Sequence, residues 1–144
     1  MGLDTNRLVS CASGWNDYEV GHIRDSHSYP APAAPDASST RALVNGEYGG
    51  IGYAIIDHLW DPDSWGYTTV TSSEQLEHLY EQYYNQLLGL NKTHGVNAGV
   101  YTQLTDVETE INGLITYDRK VIKASQNDLN KIHSFTSAGA STVV

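Results

Sequence analysis

The chain has 144 residues and a formal charge of −9, from 8 Lys and Arg against 17 Asp and Glu. That length holds one domain or one piece of a larger one, and a surface so acidic repels phosphate backbones and anionic bilayers, which argues against nucleic-acid and membrane partners. A hydrophobic share of 40% excludes a disordered chain, and the lone Cys11 excludes an intrachain disulfide or a cysteine-rich zinc site.

No apolar run reaches the roughly 18–20 residues that span a bilayer, and residues 1–7 lack an apolar signal core. The expectation is a soluble chain without a signal peptide. The aromatic balance is unusual, with 10 Tyr and 3 Trp against 1 Phe. Rings that are apolar on the face and polar at the edge suit sugar-binding clefts and protein interfaces alike.

In chain order, residues 7–13 read as a short buried strand that stops at Gly14, before the polar-aromatic loop 14–18. Residues 22–29 form a second strand, closed by a Pro/Ala/Ser stretch over 30–40 whose length suits a surface loop. Residues 41–46 form a third strand running into Glu47-Tyr48-Gly49-Gly50, and 51–70 read as irregular. A helix follows. Thr71 with Glu74, or Ser72 with Gln75, has capping-box spacing. Leu76, Leu79, Tyr80, Tyr83, Leu87 and Leu88 then recur at helical spacing, with Gly89 as the stop. Residues 97–103 make a fourth strand and 104–113 a polar turn region. Helices are expected over 117–124 and 128–135, with a frayed tail from Ser137. Short apolar strands with long connections and no hairpin signal predict parallel pairing and an α/β architecture.

The sharpest motif is Asn45-Gly46-Glu47-Tyr48-Gly49-Gly50. An apolar strand delivers a carboxylate at its C-terminal end among glycines whose missing side chains let a ligand approach. Such strand ends carry the chemistry in α/β barrels, and a Glu there serves as nucleophile or base. The plain alternative is a surface Glu in a glycine turn. Asp25-Ser26-His27-Ser28-Tyr29-Pro30 brings an imidazole and a phenol to another strand end, where the phenol would hold a neighbouring carboxylate ionised. The separation of His22 and His27 suits neither a strand face nor a helix turn, so no metal or other cofactor is expected. Trp15, Trp60 and Trp65 sit in loops, positioned either to stack on sugar rings or to cap the core.

Those blocks, together with residues 3–7, 13–18, 100–108 and 112–119, resemble in order the later part of the catalytic barrel of glycoside hydrolase family 2, which includes β-galactosidases, β-glucuronidases and β-mannosidases. The resemblance covers about residues 3–123. It implies a partial TIM barrel, about strands five to eight of a (β/α)₈ barrel, over residues 1–124, with a C-terminal helix and tail over 125–144. It implies Glu47 as the catalytic nucleophile and Tyr29 as the hydroxyl supporting it. His27, Trp15, Trp60 and Gln103 would lie at the sugar-binding face. The implied partner is a β-glycoside, and the parent family is cytoplasmic or secreted.

One departure bears on activity. The family's acid/base glutamate follows an Asn at the end of the fourth barrel strand, and this chain contains no Asn-Glu pair. Retaining hydrolysis uses two carboxyls about 5–5.5 Å apart, of which only the nucleophile has a motif here. No motif supports Glu19, Asp25, Asp57, Asp106 or Glu108 as a substitute. The expectation is therefore a weak or inactive hydrolase fragment, or a non-enzymatic carbohydrate-binding or self-assembling protein. Open strand edges further predict a homo-oligomer or a complementary half barrel as partner.

Overall fold

A computed structural model describes residues 6–137, with side chains to residue 134. Its elements are β1 (Ile23–His27), β2 (Ala42–Gly49), β3 (Ile51–Tyr53), β4 (Thr68–Val70), α1 (Ser73–His94), β5 (Val96–Thr102) and α2 (Gln126–Ser137). Strands β1, β2 and β5 form a parallel sheet with β2 in the middle, and β3 and β4 form a second parallel pair. The chain is mixed α/β with parallel strands in open sheets.

Burial along β2 carries the key local irregularity. Leu43, Asn45 and Tyr48 are buried, so the two-residue period slips between 45 and 48. The register agrees: Asn45 faces Ser26 and Glu47 faces His27, leaving Gly46 as an extra residue. A bulge of this kind re-aims the side chains that follow it. Without it, Glu47 would share the face of Leu43 and Asn45, because side chains alternate along a strand. The fully buried Asn45 secures the bulge, its Nδ2 donating to the Ser26 carbonyl at 2.8 Å and the Glu47 carbonyl at 3.2 Å.

The apolar core lies on the helix side. Ile51 from β3 packs with Leu76 and Tyr80 from α1, with Ala124, and with Ile132 from α2. Tyr80 meets Tyr101 of β5 edge-to-face at 4.7 Å, and Tyr101 meets Tyr48 of β2 at 5.9 Å. Burial holds all three phenols above their usual range, Tyr80 at about 12. Gly49 is required where Tyr101 crosses it: its φ is +105°, and a Cβ would lie 2.3 Å from the ring.

Four expectations are corrected. Residues 7–13 are largely exposed and make only an isolated bridge, Ser10 with Gly21, so no strand forms. The apolar Leu8-Val9 pair has no sheet to enter. The stretch 51–70 is less irregular than read, since β3 and β4 pair within it. Helix α1 runs through Gly89 to the C-cap Gly95, at φ 70°. The reason is tertiary: Leu87 packs onto Gly99 of β5, and Asn91 Nδ2 donates to the Val96 carbonyl at 2.7 Å. Its N-cap is Ser72, whose hydroxyl accepts from Gln75 N–H, while the Gln75 amide oxygen accepts from Thr71 N–H. Residues 117–124 form no helix. Thr116 N–H bonds the Val121 carbonyl, and the turn between them is held by Asp118, which accepts from the Thr116 hydroxyl at 2.7 Å. Side chains of this type compete with helical backbone bonds.

The helix expected over 128–135 is present within α2. The frayed tail expected beyond it, like residues 3–5 of the resemblance, lies outside the described residues.

Candidate functional site

The parallel sheet brings three strand ends to one edge. Tyr29 lies just beyond β1, Glu47 near the end of β2, and Thr102 at the end of β5. Ligands of open α/β sheets bind outside the carboxyl ends of the strands. Tyr29 Oη donates to Glu47 Oε2 at 2.7 Å and lies 2.9 Å from Thr102 Oγ1. A phenol has one proton, so with it on the carboxylate the Thr102 hydroxyl is placed to donate to the phenol oxygen. Burial, with the Glu47 charge behind it, holds the Tyr29 phenol above its usual range. Tyr29 is thus a standing donor to a carboxylate whose side chain remains 42% exposed.

His27 lies beneath this pair. Its side chain is only 5% exposed, and Nδ1 sits 3.3 Å from Glu47 Oε2. Nδ1 makes no hydrogen bond to a described residue. On the other side of the ring, Nε2 faces the Gly14 N–H at 3.2 Å and Asp25 Oδ2 at 3.5 Å. Asp25 also accepts from Gly14 N–H at 3.2 Å and Gly46 N–H at 2.7 Å, so it ties the Trp15 loop to the bulge. Gly14 and Gly46 are forced by this packing, since a Cβ would lie 2.4 Å from His27 or 2.3 Å from Asp25.

An aromatic wall borders the carboxylate. Trp15 meets His27 edge-on at 5.3 Å and stacks near Tyr29 at 6.2 Å. Tyr29 stacks on Tyr67 at 3.8 Å with planes 7° apart, and Tyr67 meets Trp65 edge-on at 5.4 Å. Trp15 is 62% exposed and Trp65 45%. The Trp15 loop is clamped by a two-pronged bond from Arg41 to Asp17, both arms 2.6 Å. A cleft adjoins the site, lined by Trp15, Asp17, Arg24, Asp25 and Asp36 among others.

Of the six residues singled out from the sequence, Glu47, Tyr29, His27 and Trp15 are brought together. Trp60 is not: its ring partner is Tyr117, at 5.6 Å. Gln103 turns toward Asn112, donating to its Oδ1 at 2.8 Å. Trp65, a loop indole also noted in the sequence, joins them through Tyr67, and the structure adds Thr102 and Tyr67. Thr102 carried a readable signal as the end of a parallel strand. Tyr67 carried none, because it precedes β4 in a segment without periodicity.

Among the described residues, no group of three His, Cys, Asp or Glu is placed to hold a metal, and no helix is long and apolar enough to cross a membrane. No family model and no curated protein matches this chain.

Proposed function

We propose that this site binds β-glycosides, on a partial (β/α)₈ barrel comprising about strands five to eight. Glu47 is then the nucleophile of a retaining centre and Tyr29 its supporting donor. One observation carries the reading: a half-exposed carboxylate accepts the hydrogen bond of the Tyr29 phenol where three parallel strands end beside a wall of aromatic rings. A carboxylate so placed can attack an anomeric carbon, while exposed ring faces stack on a pyranose.

No side chain has a motif for protonating the leaving oxygen, so hydrolysis of ordinary glycosides is expected to be slow or absent. A 2,4-dinitrophenyl β-glycoside leaves as a stable anion and needs no proton. Glu47 would bond to C1 as the C1–O bond breaks, giving at most one equivalent of dinitrophenolate and a glycosyl ester on Glu47. The test is stopped-flow absorbance with intact-mass analysis, using galactoside, glucoside, mannoside and glucuronide. An adduct on the wild type that is missing from Glu47→Gln supports the reading. Absence of both an adduct and any change in Trp fluorescence overturns it. Fluorescence change without an adduct selects the second reading, a carbohydrate-binding protein without chemistry, which the exposure of Trp15 and Trp65 favours.

The same reading expects self-association or pairing with a complementary half barrel, because β1 and β5 are the outer strands of the sheet. A light-scattering mass of one 15.8 kDa chain at high concentration would count against it.

A further inference from the structure

A second carboxylate is wired to the same edge of the sheet as Glu47. Thr102 and Gln103 are adjacent. Thr102 meets Tyr29, the partner of Glu47, and Gln103 Nε2 donates to Asn112 Oδ1 at 2.8 Å. Asn112 is fully buried and passes the contact on, its Nδ2 donating to Glu110 Oε1 at 2.8 Å. The backbone fixes Glu110 as well. It closes a two-residue turn with Val107, through paired bonds of 3.1 and 3.0 Å, and it bridges to Trp65. Trp65 packs on Tyr67, and Tyr67 stacks on Tyr29. The Tyr67 phenol is raised first by burial, then by the charges of Glu110 and of Glu47, so both carboxylates act on one hydroxyl.

Asn112 occupies only one Glu110 oxygen; Oε2 takes no hydrogen bond from any described residue. The buried Asn112 amide is bonded at both ends, so it holds the Glu110 carboxylate in a fixed orientation while Oε2 stays open. Charge also restricts the ligand. Arg24 and Arg41, the cations beside the Trp15 loop, are committed to Asp36 and Asp17. Two carboxylates, with the nearby Arg24 and Arg41 already paired, disfavour an anionic sugar and favour a ring that offers hydroxyl protons.

We propose that Glu110 is a binding residue of the Glu47 site, accepting a hydroxyl proton from a neutral hexopyranoside held against Tyr67 and Trp65. The inference rests on the carbohydrate reading above. The experiment is a Trp-fluorescence titration of the full chain with the methyl β-D-galactoside, glucoside, mannoside and glucuronide, then with the monodeoxy analogues of the tightest binder. The expected result is that a neutral glycoside binds at least about tenfold tighter than the glucuronide. One deoxy analogue should bind the wild type about tenfold more weakly than its parent, a typical loss for a hydrogen bond to a charged group. That difference should disappear in Glu110→Gln, where Asn112 still holds the amide oxygen and the charge is gone. In Glu110→Asp, which keeps the charge but withdraws it, the difference should shrink. If the wild type and both variants respond identically to every analogue, or the glucuronide binds best, this proposal fails while the Glu47 reading stands. If the wild type responds to no glycoside and forms no Glu47 adduct, both fail.

Discussion

Glu47 lies near the end of one parallel strand and Asp106 just beyond another, and the fold uses them in opposite ways. Glu47 is half exposed and bonded by a phenol, with its other oxygen open to whatever enters. Asp106 is sealed. Lys123 Nζ donates to its Oδ1 at 2.7 Å, Gly113 N–H donates to the same oxygen at 2.8 Å, and both charged side chains are essentially without solvent contact. Burial pushes the Asp106 carboxyl up and the Lys123 ammonium down, each toward neutrality, and their mutual contact opposes this. A half-exposed carboxylate with an open side is available for chemistry. One enclosed with a counter-ion is a structural tie between the loop after β5 and the segment before α2.

The contrast can be broken by exchanging the two outcomes. Glu47→Gln is expected to reduce glycosyl-enzyme formation by about 10³-fold or more, since a nucleophile has no substitute. Its unfolding free energy should stay within about 0.5 kcal/mol of the wild type, as expected of a solvent-facing change. Asp106→Asn should do the reverse, costing about 3–5 kcal/mol by leaving Lys123 buried without its counter-charge. Urea unfolding of both variants checks the pair, and equal losses would erase the distinction.

Tyr29→Phe sharpens the functional half. It removes one hydrogen bond to a charged acceptor, and glycosylation is expected to slow by about 10–100-fold while the stacked ring on Tyr67 is kept. A pH series sharpens the structural half. The Arg41 guanidinium holds the Asp17 carboxyl well below its ordinary value of 3.8. A depressed carboxyl adds stability that is complete above the unfolded value and is lost as pH falls through the folded one. The urea-midpoint difference between the wild type and Asp17→Asn should therefore be constant from about pH 7 to 5 and shrink below about pH 4. A purely backbone effect is expected far from both carboxylates. Gly95→Ala places a Cβ at φ 70° with no heavy atom within 4 Å, so only the backbone term remains, about 1–2 kcal/mol.

Much of the site's first layer was legible. Glu47 stood out because an apolar strand ended in a carboxylate among glycines, and Tyr29 because its block brought a phenol to another strand end. The rest was not, for a physical reason. Gln103 and Trp60 look as available as Trp15 in the sequence, yet Gln103 bonds Asn112 and Trp60 packs on Tyr117. Side chains in loops choose partners by distance in space, and loop length alone does not give that distance. Glu110 lies in the acidic stretch 103–110 after a strand, for which a solvated loop is the default reading and a substrate-contacting loop the sharper one, with nothing local to single out one member.

Local chemistry determined the parallel strands β1, β2 and β5, the start of α1 and the nature of the carboxylate at the end of β2. Those features depend on residues within a few positions of one another: short strand runs bounded by turn residues, the Ser72 cap and the glycines around Glu47. Tertiary structure decided the direction of Glu47, through a bulge whose geometry depends on pairing with β1. It also decided the passage of α1 through Gly89 and the loss of any strand over 7–13, since a helix can be prolonged by docking and a strand cannot exist without a neighbour to bond.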